Sequence, residues 1–317
     1  MKVFVTGGTG FLGREVVKQL AEAGHSMTVL VRSASTAEFE PVEPEVRLVE
    51  GDLRKPQGWS NSVQDHDVVV HMAMGLGSFS DQFATNVIGT ERLLSVLEGY
   101  PKTRLVHIST FSVYDYAHLR TGALVTEDSA LEARPTERDA YTQTKLFQET
   151  LVREFAESIG RPTMILRPGA IFGPTREWNY GKAFKVFGNW YALVSPNADM
   201  KLVSVKDCAR AIVMSVEAAM AGCTTLNIVN DSGHTYGSLH SWARQHGVDS
   251  TRCVPVPYRV MELLTKLIEL FGTKILRKNL NLPGFLKSAR LAAEYKPLRY
   301  SNDRARATLR WTPTDQR

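Results

Sequence analysis

The chain has only three cysteines, Cys208, Cys223 and Cys253, and they lie far apart in sequence. An odd, scattered set argues against a disulfide framework and offers no paired zinc ligands. No metal is expected, and a reducing, cytoplasmic setting fits best. Long apolar runs are also missing. The best stretch, Val68 to Met74, contains His71 and ends in Gly75-Leu76-Gly77, far short of the ~20 residues that cross a bilayer. The opening Met-Lys-Val-Phe-Val-Thr runs at once into glycines and lacks the apolar core of a secretory leader. No internal repeat or low-complexity segment is found. Neither sign of charge dominates, the net being +5, but the excess is unevenly placed. Residues 258–317 carry thirteen Lys or Arg against five Asp or Glu, leaving the remainder slightly acidic. Such a tail can attract nucleic acid, anionic lipid or a phosphorylated substrate. No nucleic-acid-binding motif accompanies it, so it reads as a solvated basic surface and no nucleic-acid partner is expected.

What is present is a regular alternation. Lys2–Thr6, Ser26–Val31, Val46–Glu50, Asp67–Met72, Arg104–Ser109 and Thr163–Arg167 read as short apolar strands, and Phe11–Ala23, Asn86–Leu97 and Tyr141–Ser158 as helices. Strands rich in β-branched residues and separated by helices predict an α/β fold with a doubly wound parallel sheet. After Arg167 the pattern loosens around Pro168, Gly169, Gly173, Pro174 and Gly181, with a later strand at Leu226–Val229. The expected organisation is a dinucleotide-type domain over residues 1–168, with returns near 202–230. Residues 169–317 would then form most of a smaller, discontinuous C-terminal lobe that caps the carboxyl ends of the strands, where ligands of such sheets bind.

The first strand meets the first helix through Thr6-Gly7-Gly8-Thr9-Gly10-Phe11-Leu12-Gly13. Glycines at 7, 10 and 13 allow a sharp turn and a close backbone approach to a pyrophosphate, which the helix N-terminus also attracts. The placement between a strand and an amphipathic helix makes this a Rossmann-type phosphate loop rather than a chance glycine triplet. Dinucleotide sites usually carry an acidic residue at the end of the second strand for the ribose 2′-hydroxyl. Here the chain reads Val31-Arg32-Ser33. Arg32 suits a 2′-phosphate, so NADP(H) is expected over NAD, the alternative being that Arg32 is an ordinary surface arginine.

Tyr141-Thr142-Gln143-Thr144-Lys145 sets a phenol and an ammonium one helical turn apart. A phenol is a poor acid or base near neutrality, its reference pKa being about 10. A neighbouring cation stabilises the phenolate and makes Tyr141 usable for proton transfer.

Seven motifs in order then resemble the extended short-chain dehydrogenase/reductase family, of the NAD(P)-dependent epimerase/dehydratase kind. They are TGGTGFLG at 6–13, GDL at 51–53, HMA at 71–73, NVIGT at 86–90, STFSVY at 109–114, YTQTK at 141–145 and RPGAIFGP at 167–174. The resemblance implies that Thr110 binds the substrate oxygen, that Tyr141 transfers the proton, and that Lys145 holds the nicotinamide ribose besides tuning Tyr141. It also implies that Asp52 and Leu53 meet the adenine, that Ala73 lies along the cofactor and that Pro168 borders the nicotinamide. Asn86 is expected either to support the active-site helix or to serve structure alone. Asp207 has the same two readings, the structural one being a helix N-cap.

Departures from the family pattern narrow the function. Phe111-Ser112 stand where sugar dehydratases carry Asp-Glu, and Gly169-Ala170 where many nucleotide-sugar epimerases carry asparagine. In pattern the chain is most similar to the branch with dihydroflavonol reductases and 3β-hydroxysteroid dehydrogenases. That similarity implies reversible hydride exchange with a ketone or secondary alcohol on a bulky, largely apolar, lipid-, steroid- or flavonoid-like substrate. A nucleotide-sugar epimerase and a non-catalytic NADP-binding regulatory or assembly protein are the alternatives. Tyr258–Ile275 presents Val260, Leu264, Leu267, Ile268, Phe271 and Ile275 at helical spacing, with Arg259, Lys266 and Lys274 among them. It reads as a helix packed on the second lobe, or as a lid or peripheral membrane contact. A homodimer is compatible with the sequence.

Overall fold

The computed structural model describes residues 1–36, 39, 46–174, 182–231, 233–270 and 287–314. In chain order the first half runs β1 (Lys2–Thr6), α1 (Phe11–Glu22), β2 (Ser26–Val31), β3 (Arg47–Glu50), β4 (Val68–His71), α2 (Phe79–Phe83), α3 (Gly89–Glu98), β5 (Arg104–Ile108), β6 (Leu124–Val125) and α4 (Ala140–Ser158). The second half continues with β7 (Thr163–Pro168), β8 (Ala170–Phe172), β9 (Lys182–Phe187), β10 (Trp190–Val194), β11 (Leu202–Ser204), α5 (Val205–Glu217), β12 (Cys223–Ile228), α6 (Tyr236–Gln245), β13 (Arg252–Val256), α7 (Tyr258–Leu270), α8 (Ser288–Tyr295), β14 (Arg299–Tyr300) and α9 (Asp303–Leu309).

Seven strands form one parallel sheet in the order β12-β7-β5-β4-β1-β2-β3. The order reverses between β1 and β4, which opens a crevice beyond their carboxyl ends, the usual ligand position in such sheets. Val3, Phe4 and Val5 of β1 and Val68, Val69 and Val70 of β4 have no exposure, as expected of strands covered on both faces. On one face Val16, Val17 and Leu20 of α1 and Ile212 and Val216 of α5 pack with Trp311. On the other, Leu93 and Leu97 of α3 meet Val152 and Phe155 of α4. α1 stops at Gly24, whose φ of 76° an L side chain rarely adopts. Gly24 N donates to Ala21 O and His25 N to Leu20 O, the double bond of a Schellman ending.

A small sheet, β13-β10-β9, lies outside the main one. Its β10 residue Val194 packs with Tyr258 and Met261 of α7 and with Leu291 and Tyr295 of α8. In α7 the buried residues are Tyr258, Met261 and Thr265. Val260, Leu264 and Leu267 are about half exposed, at 47%, 46% and 52%. These three stripe residues therefore lie outside the lobe core, although α7 packs on the lobe through Tyr258 and Met261. The lobe is instead gripped by a narrower face set by Tyr258, Met261 and Thr265. Phe271, Lys274 and Ile275 lie outside the described residues. Among the described residues, no helix is long and apolar enough to cross a membrane.

Candidate active site

The phosphate loop is built by close backbone packing. Gly7 has a φ of 77°, and a Cβ there would fall 2.7 Å from the backbone of Met72 and Ala73. A Cβ on Gly13 would fall 2.1 Å from the Gly7 carbonyl. These two contacts press the loop against the end of β4 and seat α1 directly behind it. Gly10 is the N-cap of α1; it supplies no side-chain cap, and no acidic residue lies in the first turn. A helix start of this kind favours an external anion. Thr9 is exposed and its carbonyl accepts from Arg14 Nε at 3.1 Å. Phe11 and Leu12 are half-buried. A Cβ on Gly173 would meet the Phe11 ring at 3.0 Å, so the loop after β7 abuts the phosphate loop.

Further along the sheet edge, Arg32 is exposed just past β2. Glu50, the register partner of Val31, accepts from Ala34 N at 3.1 Å. A carboxylate thus borders the Arg32 turn, delivered by β3 rather than β2. Asp52 is held by Arg54 at 2.6 Å, and this hydrogen bond keeps its carboxyl below the usual range. Leu53 is buried beneath Gly89. Ala73 N donates to Thr6 Oγ1 at 3.3 Å, and Pro168 closes β7 in a buried position.

The second half of the site lies where β5 meets α4. Thr110 follows β5 and caps a single helical turn, its Oγ1 accepting from Ser112 N at 3.2 Å. Asp139 caps α4, with Oδ1 accepting from Thr142 N at 3.1 Å. Tyr141 is half-buried in the first turn of α4, and Lys145 lies one turn later with 4% exposure. Lys145 Nζ donates to Ile108 O at 2.6 Å and to Gln148 Oε1 at 2.5 Å. The cation is thereby fixed to the strand end two residues before Thr110. Burial lowers its pKa to about 7.

Several residues that motif spacing did not single out hold this arrangement. Glu149 pairs with Arg167 of β7 at 2.5 Å and accepts from Ser109 Oγ at 2.5 Å. Burial, the largest single influence, would raise the Glu149 carboxyl, but the hydrogen bond and charge of Arg167, with Ser109 and Arg153, together hold the group below its ordinary pKa. Arg138 pairs with Glu132 at 3.0 Å, both nearly inaccessible. Asn86 lies in a π-helical turn, Ala84–Ile88. Its Oδ1 accepts from Gly75 N at 2.8 Å and its Nδ2 donates to Thr144 Oγ1 at 3.0 Å, tying the β4 loop to α4. Asp207 is not the N-cap of α5; Ser204 is, accepting from Asp207 N at 3.1 Å. Asp207 instead accepts from Thr314 N at 3.1 Å and so anchors the C-terminal segment. The available signals were helical spacing, which puts Gln148 and Glu149 on the Lys145 side of α4, and the Arg of the RPG motif.

A parallel sheet of this order, with a glycine loop at β1–α1 and a Tyr-Lys helix beside β5, defines a dinucleotide-binding fold of the short-chain dehydrogenase type. The family model "NAD dependent epimerase/dehydratase family" matches residues 3–228, and the chain belongs to that family. Among curated relatives, a 3 beta-hydroxysteroid dehydrogenase/Delta 5-->4-isomerase of Mycobacterium tuberculosis is 30% identical over 194 residues, 58% of this chain and 50% of the relative. A 2-alkyl-3-oxoalkanoate reductase of Stenotrophomonas maltophilia is 32% identical over 185 residues, 55% of this chain and 52% of the relative. The chain thus spans about half the length of these relatives. A solved UDP-glucuronic acid 4-epimerase of Bacillus cereus, in complex with NAD, superposes with a TM-score of 0.71 at 19% identity, covering 100% of this chain and 94% of that one. At that identity the likeness is one of fold.

Proposed function

We propose that the protein interconverts a ketone and a secondary alcohol with NADP(H), on a bulky and largely apolar substrate. The observation that carries the reading is the fastening of Lys145, one turn after Tyr141 on α4, to the carboxyl end of β5, two residues before Thr110. The backbone cradle of Gly7 and Gly13 and the uncapped start of α1 fit a dinucleotide pyrophosphate. Thr9, Gly10, Phe11 and Leu12 complete that cradle, Asp52 and Leu53 meet the adenine, Ala73 lies along the cofactor, Arg32 receives the 2′-phosphate, and Pro168 borders the nicotinamide. A bound nicotinamide supplies or accepts the hydride. Thr110 orients the substrate oxygen, Tyr141 gives up or receives the proton at that oxygen, and Lys145 favours the phenolate by its charge. The exposed stripe of α7 supports an apolar substrate: Val260, Leu264 and Leu267 form an entrance or a peripheral contact with lipid, flanked by Arg259 and Lys266.

The test is NADPH oxidation against panels of steroid, flavonoid and long-chain β-keto lipid ketones, with nucleotide sugars alongside. Consumption with an apolar ketone, absent in Tyr141→Phe, is expected. Interconversion of a nucleotide sugar without net loss of NADPH would overturn the proposal in favour of an epimerase.

A further inference from the structure

Beneath Lys145 runs a chain of polar side chains that no step of the proposed reaction uses. It links four elements: Thr6 of β1, His71 of β4, Thr90 of α3 and Gln148 of α4. The last three have no exposure, and Thr6 has 1%. Thr6 Oγ1 lies 2.7 Å from His71 Nδ1, and His71 Nε2 lies 2.8 Å from Thr90 Oγ1. Gln148 Nε2 donates to Thr90 Oγ1 at 2.8 Å, and Thr90 spends its one hydroxyl proton on Asn86 O at 2.6 Å. Gln148 Nε2 also lies 3.1 Å from His71 Nε2. Thr90 Oγ1 accepts from Gln148, and His71 Nε2 lies against both. The Gln148 amide then turns its nitrogen toward Thr90 and its oxygen toward Lys145, which can only donate. Burial pushes the His71 imidazole down to about 3, so it stays neutral at working pH.

We infer that Gln148 is a positioning residue for Lys145: Thr90 holds it, and through Thr90 it is braced by His71 and by Thr6 at the foot of the dinucleotide loop. The inference rests on the reading above, in which Lys145 serves the reaction. Its physical content is a preference for the charged form of the amine. Lys145 has two acceptors, Ile108 O and Gln148 Oε1. The titratable groups facing it are Glu149 on its own helix, which favours the charge, His71 of β4 and His107 of β5, which burial keeps neutral, and, on the reading above, Tyr141 one turn earlier on α4. Taking away Oε1 leaves a buried ammonium one acceptor short and favours the neutral amine. A glutamine that merely filled space would affect stability and leave the titration of Lys145 where it was.

The experiment follows the 13Cε signal of labelled lysine in the full chain through a pH titration, with the Lys145 signal identified by its loss in Lys145→Arg. It is run with and without NADP+, and it needs no substrate. The wild-type signal is expected to titrate near neutrality. Gln148→Met should lower that midpoint by about one unit, since hydrogen bonds to charged groups are among the stronger ones. Thr90→Val, which releases Gln148, should lower it by less. Gln148→Glu keeps an acceptor oxygen, adds a negative charge and should raise it. Coincident midpoints in wild type and Gln148→Met overturn the inference. Should Gln148→Met fail to fold, a midpoint that does not rise in Gln148→Glu overturns it equally. Loss of turnover in Tyr141→Phe tests the reaction itself, so the two proposals fail separately.

Discussion

The carboxylate of Glu149 and the guanidinium of Arg167 meet at 2.5 Å with side-chain exposures of 1% and 2%. Glu149 also accepts from Ser109 and Arg153, and Arg167 donates to Tyr114 Oη at 2.9 Å. The pair therefore joins α4, β5 and β7 at the point where the candidate site is assembled. A buried pair is weak evidence of net stability, but removing one partner strands the other charge. Glu149→Ala should cost about 3–5 kcal/mol, measured as a lower urea midpoint at unchanged m-value. A loss under about 1 kcal/mol would show that water reaches and rescues Arg167.

Lys145 carries its own pH signature. Its folded pKa, about 7, lies below the ordinary 10.5. Between those values the unfolded chain binds the extra proton, so this group's contribution to stability rises with pH from about 7 toward 10.5 and is flat below 7. Thermal melts of wild type and Lys145→Met across that window should show wild type gaining on the mutant as pH rises. A constant difference would mean that Lys145 stays charged in the folded protein.

The strands that place this site were largely legible in the sequence. β1 and β4 are short β-branched runs, and periods of that kind identify strands buried on both faces. Gly7 and Gly13 are legible for a steric reason, since any side chain there would strike backbone. What stayed hidden depends on contacts between distant segments. Glu50 borders Arg32 only because β3 pairs with β2 in register, and His71 touches Gln148 across 77 positions. In α7 the helix was legible but its packing face was not: a stripe of leucines at helical spacing ordinarily marks a core face, yet here Met261 and Thr265 are buried while Leu264 and Leu267 are half exposed.

Tyr141→Phe removes the proposed proton donor and nothing from the dinucleotide cradle. Turnover should fall by about 100-fold or more, with NADPH affinity largely kept in a fluorescence titration. Lys145→Ala should damage both. Activity retained in Tyr141→Phe would send the search for the acid elsewhere.

Cofactor choice rests on Arg32. Arg32→Asp exchanges a phosphate partner for a ribose partner and should move the NADP-to-NAD preference toward NAD by about tenfold or more. Glu50 sharpens the comparison, because a carboxylate already borders the Arg32 turn. Glu50→Gln should shift preference further toward NADP in the wild-type background. Equal wild-type affinities for NADP and NAD would remove the case for Arg32.

The exposed stripe of α7 separates substrate handling from stability. Leu264 and Leu267 are about half exposed and lie outside the lobe core, so replacing both with serine should leave the melting temperature nearly unchanged. If the stripe admits an apolar substrate, the same double mutant should raise the Michaelis constant for that substrate several-fold while sparing NADPH affinity. Lipid contact adds an electrostatic condition. Arg259 and Lys266 are exposed beside the stripe, although Lys266 also pairs with Glu262 at 2.9 Å. Co-sedimentation with anionic vesicles should fall in Arg259→Glu/Lys266→Glu and fall again with added salt, since surface charges are screened beyond ~8–10 Å at physiological ionic strength. Vesicle binding that survives the charge reversal but is lost with Leu264→Ser/Leu267→Ser would assign the contact to the leucines alone. Wild-type protein that ignores anionic vesicles at low salt leaves α7 as a substrate entrance, which the Michaelis constant of the serine double mutant then decides.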